Sequence, residues 1–421
     1  MTNIALESGY IRAEQADHVL NITIARADKR NALTGVMYED LSRAVDHAQA
    51  SDDVRVVCIK SEGDMFCAGN DIADFADRDP AASQAGDVGP ALTFVQKLSA
   101  CDKATVIAVQ GQATGIGTTM LLHADLVIAA DGVNSLVRDT YAASFKPAID
   151  YRPNRFVWLG TRAPLEAFTF IFKEDRHGIW NVHAYRYQDD LATLIIETTE
   201  DTWAAAGMDR ASEAETAAFM AELFADELGR AEVLTNRSTW RAFPNIHCGS
   251  WVHENVVLIG DAAHTAHFSI GSGTKLAMED AIALYEESIA HDSVKEALAG
   301  YDANRHDEVG RIVHAAEVSL VWFEQLRRYW DMDPTQFTFS LMSRSKAITY
   351  ENLKMRDSEF IKQVDAWFSA DAADRFNAPA LRERPAPPMF APFDLRGMRL
   401  ANRVVVSPMC QYCAEDGNPT E

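Results

Sequence analysis

The chain has 421 residues, 48% of them hydrophobic and 24% charged, enough for two or three globular domains with cores of their own. Its net charge is −23 with no Lys/Arg cluster to offset it, which argues against a nucleic-acid partner. No apolar run reaches the roughly eighteen residues of a membrane span, so no membrane partner is expected. The opening MTNIALESGYIRAEQ has neither a basic nor an apolar signal region, and the six cysteines are scattered; both features lead us to expect a cytoplasmic protein.

In chain order, SGYIRAEQADHVLNITI (8–24) alternates as a hairpin does, and LTGVMYEDLSRAVDHAQA (33–50) has helical spacing. VRVVCIK (54–60) reads as a strand, SEGDMFCAGNDIADF as a glycine-bearing loop and ALTFVQKLSA as a helix. TVIAVQG is a strand, GIGTTMLLH opens a short helix and DLVIAA (125–130) is a strand again. Continuous apolar strands alternating with helices predict a parallel sheet covered on both faces. Beyond residue 140 the pattern changes. Closely spaced strands over 155–198 predict an antiparallel sheet, VVLIGDAAH (256–264) a strand entering a glycine turn, and GTKLAMEDAIALYEESIA (273–290) a long helix. Helices follow to about 372, then the proline-rich LRERPAPPMFAPF (381–393) reads as a linker.

Three sets of motifs carry the chemistry. FCAGNDI and GQATGIGTTMLLHADLVIAAD, in the order of elements found over 1–130, resemble the enoyl-CoA hydratase/isomerase (crotonase) family. The resemblance implies a CoA thioester substrate and an oxyanion hole made by the amides of Ala68 and Ile116, one after a strand and one at a helix start. The family's first catalytic glutamate is matched by Thr119, and the segment of its second acid is replaced by DGVNSLVR. Were hydratase turnover retained, Asp71 or Asp74 in the loop would be the acid that serves instead.

DGVNSLVR (131–138) and VVLIGDAAHTAHFSIGSGTKLAMEDAIAL (256–284) resemble the FAD-dependent aromatic hydroxylases, in particular those acting on aryl-CoA thioesters. The implied cofactor is FAD, with NAD(P)H as co-substrate. Asp131, Gly132 and Arg138 would lie by the pyrophosphate and the nicotinamide path; Gly260 and Asp261 would take a ribityl or ribose hydroxyl; Gly271, Gly273 and Thr274 would approach the isoalloxazine. His264 and His267 would line that cavity rather than bind a metal, and His247, Cys248 and Trp251 are given no role. The G-x-G-x-x-G turn that opens such enzymes does not occur in 1–130, so weak FAD binding or none is expected.

PMFAPFDLRGMRLANRVVVSPMCQY (388–412) resembles the start of the old yellow enzyme barrel, with Cys410 and Tyr412 at flavin-proximal positions. About 34 residues cannot close a barrel of roughly 250, so FMN is not expected. Cys410-x-x-Cys413 stands alone, without a second pair or a nearby histidine, and no metal is assigned to it.

The expected architecture is therefore mixed α/β. A crotonase-like βα half-domain (1–130) is joined to a truncated FAD-binding hydroxylase body (131–380) that has an antiparallel substrate sheet and C-terminal helices but lacks the first dinucleotide-binding βαβ unit. A linker and barrel fragment (381–421) follows. The predicted activity is flavin-dependent hydroxylation of an aromatic acyl-CoA, with an acyl-CoA hydratase/isomerase or a non-catalytic fusion remnant as the alternatives. DLVIAA is asked to serve two sheets, which predicts an open strand edge, exposed apolar surface and a tendency to oligomerise.

Overall fold

The computed structural model describes residues 2–76, 89–383 and 386–407, together with the backbone of 414–415 and 418–419. It divides into two compact units, Met1–Glu324 and Gln325–Glu421. Compactness thus divides the chain elsewhere than the family resemblances do, and the junction near residue 130 falls inside the first unit.

That unit is built on an eight-stranded sheet. In chain order its first strands are β1 (Thr2–Asn3), β2 (Ile11–Ala16), β3 (Val19–Ile24) and β4 (Val56–Ser61). It continues with β6 (Ala104–Gln110) and β8 (Leu126–Ala130), while the short β5 (Met65–Cys67) and β7 (Gln112–Ala113) pair with each other in a separate ladder. Strands β1, β2 and β3 are antiparallel neighbours, whereas β3, β4, β6 and β8 run parallel. The next position is taken by a strand from far along the chain. β16 (Val256–Leu258) lies parallel to β8, with Val256 opposite Val127 and Leu258 opposite Ala129, and β15 (Val252–His253) closes the edge. The open edge expected at 125–130 is therefore absent. Asn255 reinforces the seam: its carbonyl accepts from the Val127 amide at 2.9 Å and its side chain donates to the Ala124 carbonyl at 2.6 Å.

Local chemistry explains the elements. The helix Gly35–Ala50 starts at Thr34, whose hydroxyl accepts from the Met37 amide, and it buries Met37, Tyr38, Leu41, Ala44, Val45 and Ala48 at helical spacing. Alternate residues of the strands (Leu20, Ile22, Ile24, Val57, Ile59, Ile107, Val109, Val127, Ala129) are buried in one continuous core. Each large one stabilises the fold by about 1.5–3 kcal/mol relative to exposure. The same core takes in Val257, Leu258, Leu276 and Tyr301 from beyond the family junction. The residues between them, such as Asn21, Cys58, Ala108 and Ile128, are only partly buried, so the sheet is sealed on one face and partly covered on the other, not closed on both as its apolar strands predict.

From β8 the chain enters an antiparallel sheet, as expected from residues 155–198. It contains β9 (Pro147–Thr161), β10 (Thr169–Glu174), β11 (Ile179–Gln188), β12 (Leu191–Thr198), β13 (Val233–Leu234) and β14 (Arg241–Cys248), in the order β10-β11-β12-β9-β13 with β14 also on β9. One face buries Trp180, Val182, Leu194, Ile196 and Val157 together with Met220 and Phe224. Two long helices, Gly273–Ala290 and Val294–Glu324, complete the unit.

The second unit holds the helices Pro334–Met342, Tyr350–Arg356 and Ser358–Phe376. A hairpin of Phe393–Leu395 with Met398–Leu400 follows. Cys410, Tyr412 and Cys413 lie outside the described residues. No helix among the described residues is long and apolar enough to cross a membrane.

Candidate functional site along one sheet edge

The parallel run β4-β6-β8-β16 sends four loops out over the C-terminal edge of one sheet, where ligands of open α/β sheets bind. In spatial order they carry Ala68, Ile116, Asp131 and Gly260. The two half-sites read from sequence are therefore neighbours on a single edge.

In the first half-site the geometry departs from expectation. The Ala68 amide donates to the Arg30 carbonyl at 3.0 Å, so it is already engaged and is not a free oxyanion donor. Ile116 opens the helix Ile116–Leu121, where its amide has no intrahelical acceptor. The loops themselves are tightly joined. A side chain on Gly117 would bring its Cβ to 2.8 Å from the Cys67 Cβ, a distance that only glycine avoids. Burial pushes the Cys67 thiol up to about 11, so it is no nucleophile. Thr119 donates its hydroxyl to the Gly115 carbonyl. Neither substitute acid is available: Asp71 is paired with Arg26 at 2.7 Å, which lowers its pKa and keeps it ionised, and Asp74 accepts from the Gly35 amide at 3.0 Å.

The second half-site is assembled from segments more than a hundred residues apart. Ser135 caps Leu136–Thr140 by accepting from the Arg138 amide at 2.9 Å. Arg138 is almost fully buried. Its guanidinium reaches across to the Ala262 carbonyl (3.3 Å) while also donating to the Val133 carbonyl (3.0 Å) and Asp139 (3.2 Å). It therefore clamps the two motifs together instead of facing a pyrophosphate or nicotinamide path. One carboxylate oxygen of Asp131 accepts from the Val137 amide at 3.1 Å; the other, Oδ1, is buried with no hydrogen-bond partner among the described residues. Burial raises the Asp131 pKa. Gly132 follows with φ +78° in open space.

Across the seam, Gly260 has φ +60°, and a Cβ there would lie 3.0 Å from the Ala277 Cβ, so glycine lets the turn sit against the following helix. Asp261 is exposed and, among the described residues, accepts no hydrogen bond; surrounding protein nonetheless raises its pKa, partly opposed by His264. Gly271 has φ +63°, and Gly273 and exposed Thr274 begin an 18-residue helix with no side-chain cap, leaving amides and the positive end of its dipole directed outward.

Sequence reasoning missed the network beneath this turn. Asp280 is fully buried and accepts from the Gly260 amide (2.9 Å), His264 (2.8 Å) and Arg305 (2.9 Å). Burial opposes its charge, but these partners outweigh it and lower its pKa. His264 is thus a turn anchor rather than a cavity residue. The available signal was an acid between Leu276 and Leu284 on the buried helix face. His267 caps the turn Phe268–Ile270, and Phe268 lies 5.1 Å from Phe156, 6.1 Å from Phe243 and 5.2 Å from His183 between ring centroids. This aromatic face of the antiparallel sheet directly precedes Gly271. Of the residues left without a role, Cys248 and Trp251 are core, and His247 pairs with Glu317. Among the described residues no group of three or more His, Cys, Asp or Glu is placed to hold a metal.

Comparison with known proteins agrees with both halves. The model of the enoyl-CoA hydratase/isomerase family matches residues 14–138, and that of the FAD binding domain matches 93–316. Salicyloyl-CoA 5-hydroxylase from Streptomyces sp. is 38% identical over 67% of this chain and 54% of its own length. A 3-hydroxy-4-methyl-anthranilyl-[aryl-carrier protein] 5-monooxygenase from Streptosporangium sibiricum is 38% identical over 56% of this chain and 62% of its own. A probable enoyl-CoA hydratase from Mycobacterium tuberculosis is 35% identical over 27% and 43%. The chain thus spans a little over half the length of the monooxygenases it matches. Neither family match reaches 388–412, so the resemblance to a flavin barrel there is unsupported. With its second motif pair and more than half of its residues inside the match, the chain belongs to the FAD binding domain family, with an enoyl-CoA hydratase/isomerase segment fused in front.

Proposed function

We propose that the chain carries the flavin-facing part of an FAD-dependent monooxygenase that hydroxylates an aromatic acyl-CoA thioester with NAD(P)H and oxygen, and that its N-terminal segment keeps a crotonase scaffold without its chemistry. The observation that carries this reading is the pairing of β16 on β8, which sets the Asp131 and Gly260 turns side by side. Among the described residues, polar groups there have no partner: Asp131 Oδ1, the Asp261 carboxylate and the amides at Gly273–Thr274. These fit the flavin half of FAD, which when bound supplies the activation of oxygen. Asp261 would accept from its hydroxyls, the helix N-terminus would favour negative charge on its ring, and Arg138 would hold the two turns at fixed spacing. The aromatic face around Phe268 would receive the aryl group. The substrate class rests on the relatives, whose names place their aryl groups on CoA or an aryl-carrier protein. By ancestry we keep the divisions 1–130, 131–380 and 381–421. Among the described residues Cys58, Cys67, Cys101 and Cys248 form no disulfide, which supports a cytoplasmic setting.

The residues do not fit the pyrophosphate half in the same way, because the loops after β4 and β6 lack the G-x-G-x-x-G turn. Titration of the protein with FAD, followed by flavin fluorescence, tests the proposal. Weak binding that is lost on Asp261→Ala is expected; binding indifferent to Asp261→Ala would overturn the site assignment. NAD(P)H oxidation in the presence of salicyloyl-CoA tests the activity separately.

A further inference from the structure

The helix Gly273–Ala290 has a second face that the site does not use. Leu276, Asp280 and Leu284 are its buried side. Opposite them Met278, Ile282, Tyr285 and Ile289 are 62%, 55%, 65% and 68% exposed. Their spacing of four, three and four residues aligns them in one stripe, about 16 Å long at 1.5 Å per residue. Isolated exposed apolar side chains need no explanation, but an aligned row of four large ones marks an interaction surface.

The charge beside the stripe selects the partner. Glu279 and Glu286 flank it, and beyond them a groove of about 340 Å³ is lined by Glu279, Glu286, Glu287, Glu308 and Arg305, among others. Arg305 is shared among Asp280, Glu279 and Glu308, and Lys275 pairs with Glu279. Two full cations therefore face five carboxylates, and among the described residues Glu286 has no partner of its own. We propose that this face docks an amphipathic helix of a partner protein, about three turns long, with apolar residues every three or four positions and Lys or Arg along the flank that meets the groove. A second copy of this chain fits worse: an antiparallel pairing of the stripes sets the Glu279 and Glu286 flanks of the two copies against each other.

The probes are two fluorescent 18-residue helical peptides with the same leucine stripe, one flanked by lysines and one by glutamates. Anisotropy titrations are run against the full chain, the double variant Ile282→Gln/Ile289→Gln, and Glu286→Gln; all three positions are exposed, and circular dichroism checks the fold. The proposal expects binding of the lysine peptide only, weakened at least tenfold by the double variant and severalfold by Glu286→Gln. Equal binding of both peptides, or binding of the lysine peptide that the variants leave unchanged, overturns it. A chain that is dimeric by light scattering and made monomeric by the double variant also overturns it, because a second copy then covers the stripe.

Discussion

The two halves of the sheet edge differ in what their polar atoms do. In the Ala68–Ile116 loops, the expected donor is bonded to Arg30, the candidate acids are tied to Arg26 and Gly35, and Thr119 donates to the Gly115 carbonyl. In the Asp131–Gly260 turns, a buried carboxylate oxygen and an exposed aspartate are left without donors above a fully bonded base. Folded proteins pair nearly all their buried polar atoms, so Asp131 Oδ1, buried without a partner among the described residues, is a candidate contact for a ligand. The first region's candidate groups are bonded internally, whereas the second leaves Asp131 Oδ1 and Asp261 without donors among the described residues.

The sharpest challenge to that comparison is the base of the second region. Asp280→Ala removes the shared partner of Gly260, His264 and Arg305; Arg305 keeps Glu279 and Glu308, but the buried Gly260 amide and His264 ring lose their acceptor, so we expect a loss of about 3–5 kcal/mol in the first unfolding transition in urea. The same network fixes a pH dependence. The folded pKa of Asp280 is depressed, so its contribution is present above the unfolded value of about 3.9 and is lost as pH falls through the folded one. Acid titration followed by circular dichroism should show the wild-type midpoint shift upward in urea, and a flatter acid limb in Asp280→Ala.

A smaller effect is expected at Gly260. Gly260→Ala combines a positive φ with a 3.0 Å contact to Ala277, for about 1–2 kcal/mol of destabilisation in the same assay. Smaller still, and opposite in sign, is Asp131→Asn. An amide retains an acceptor for the Val137 amide while removing a charge whose burial is unfavourable, so we expect about 1 kcal/mol of stabilisation at neutral pH together with weaker FAD binding. A loss of stability would show that the unpaired oxygen has a structural partner. The smallest expected effect is none. Restoring the absent acid with Thr119→Glu should leave crotonyl-CoA hydration at background, because the Ala68 donor remains bonded to Arg30. A measurable rate would mean that loop rearranges and that the first region is only dormant.

Much of this was legible in residue pattern. The hairpin 11–24, the helix after Thr34, the strands of 104–130 and the helix 273–290 announce themselves through alternation, caps and continuous apolar runs. Both motif families were visible too. What lay hidden were destinations. Nothing local in VVL states that it will pair with VIA more than a hundred residues earlier, because parallel strands recognise each other through backbone groups common to all residues. The same holds for the Ala68 amide, whose acceptor belongs to a distant loop, and for Arg138, which reads as a ligand contact until its guanidinium is traced to the Ala262 carbonyl. Asp280 looks like one more surface acid until its place on the buried stripe is counted.

The strand β8 has one further implication, for how proteins recombine. It holds a crotonase-type strand on one side and a hydroxylase-type strand on the other in the same parallel register. Its five residues need only present apolar side chains to the core and hydrogen-bonding groups to both flanks, and both family matches run through them. A central parallel strand is thus a natural crossover point. Genes broken and rejoined within it exchange everything to either side while preserving the one element on which each half depends for its neighbour.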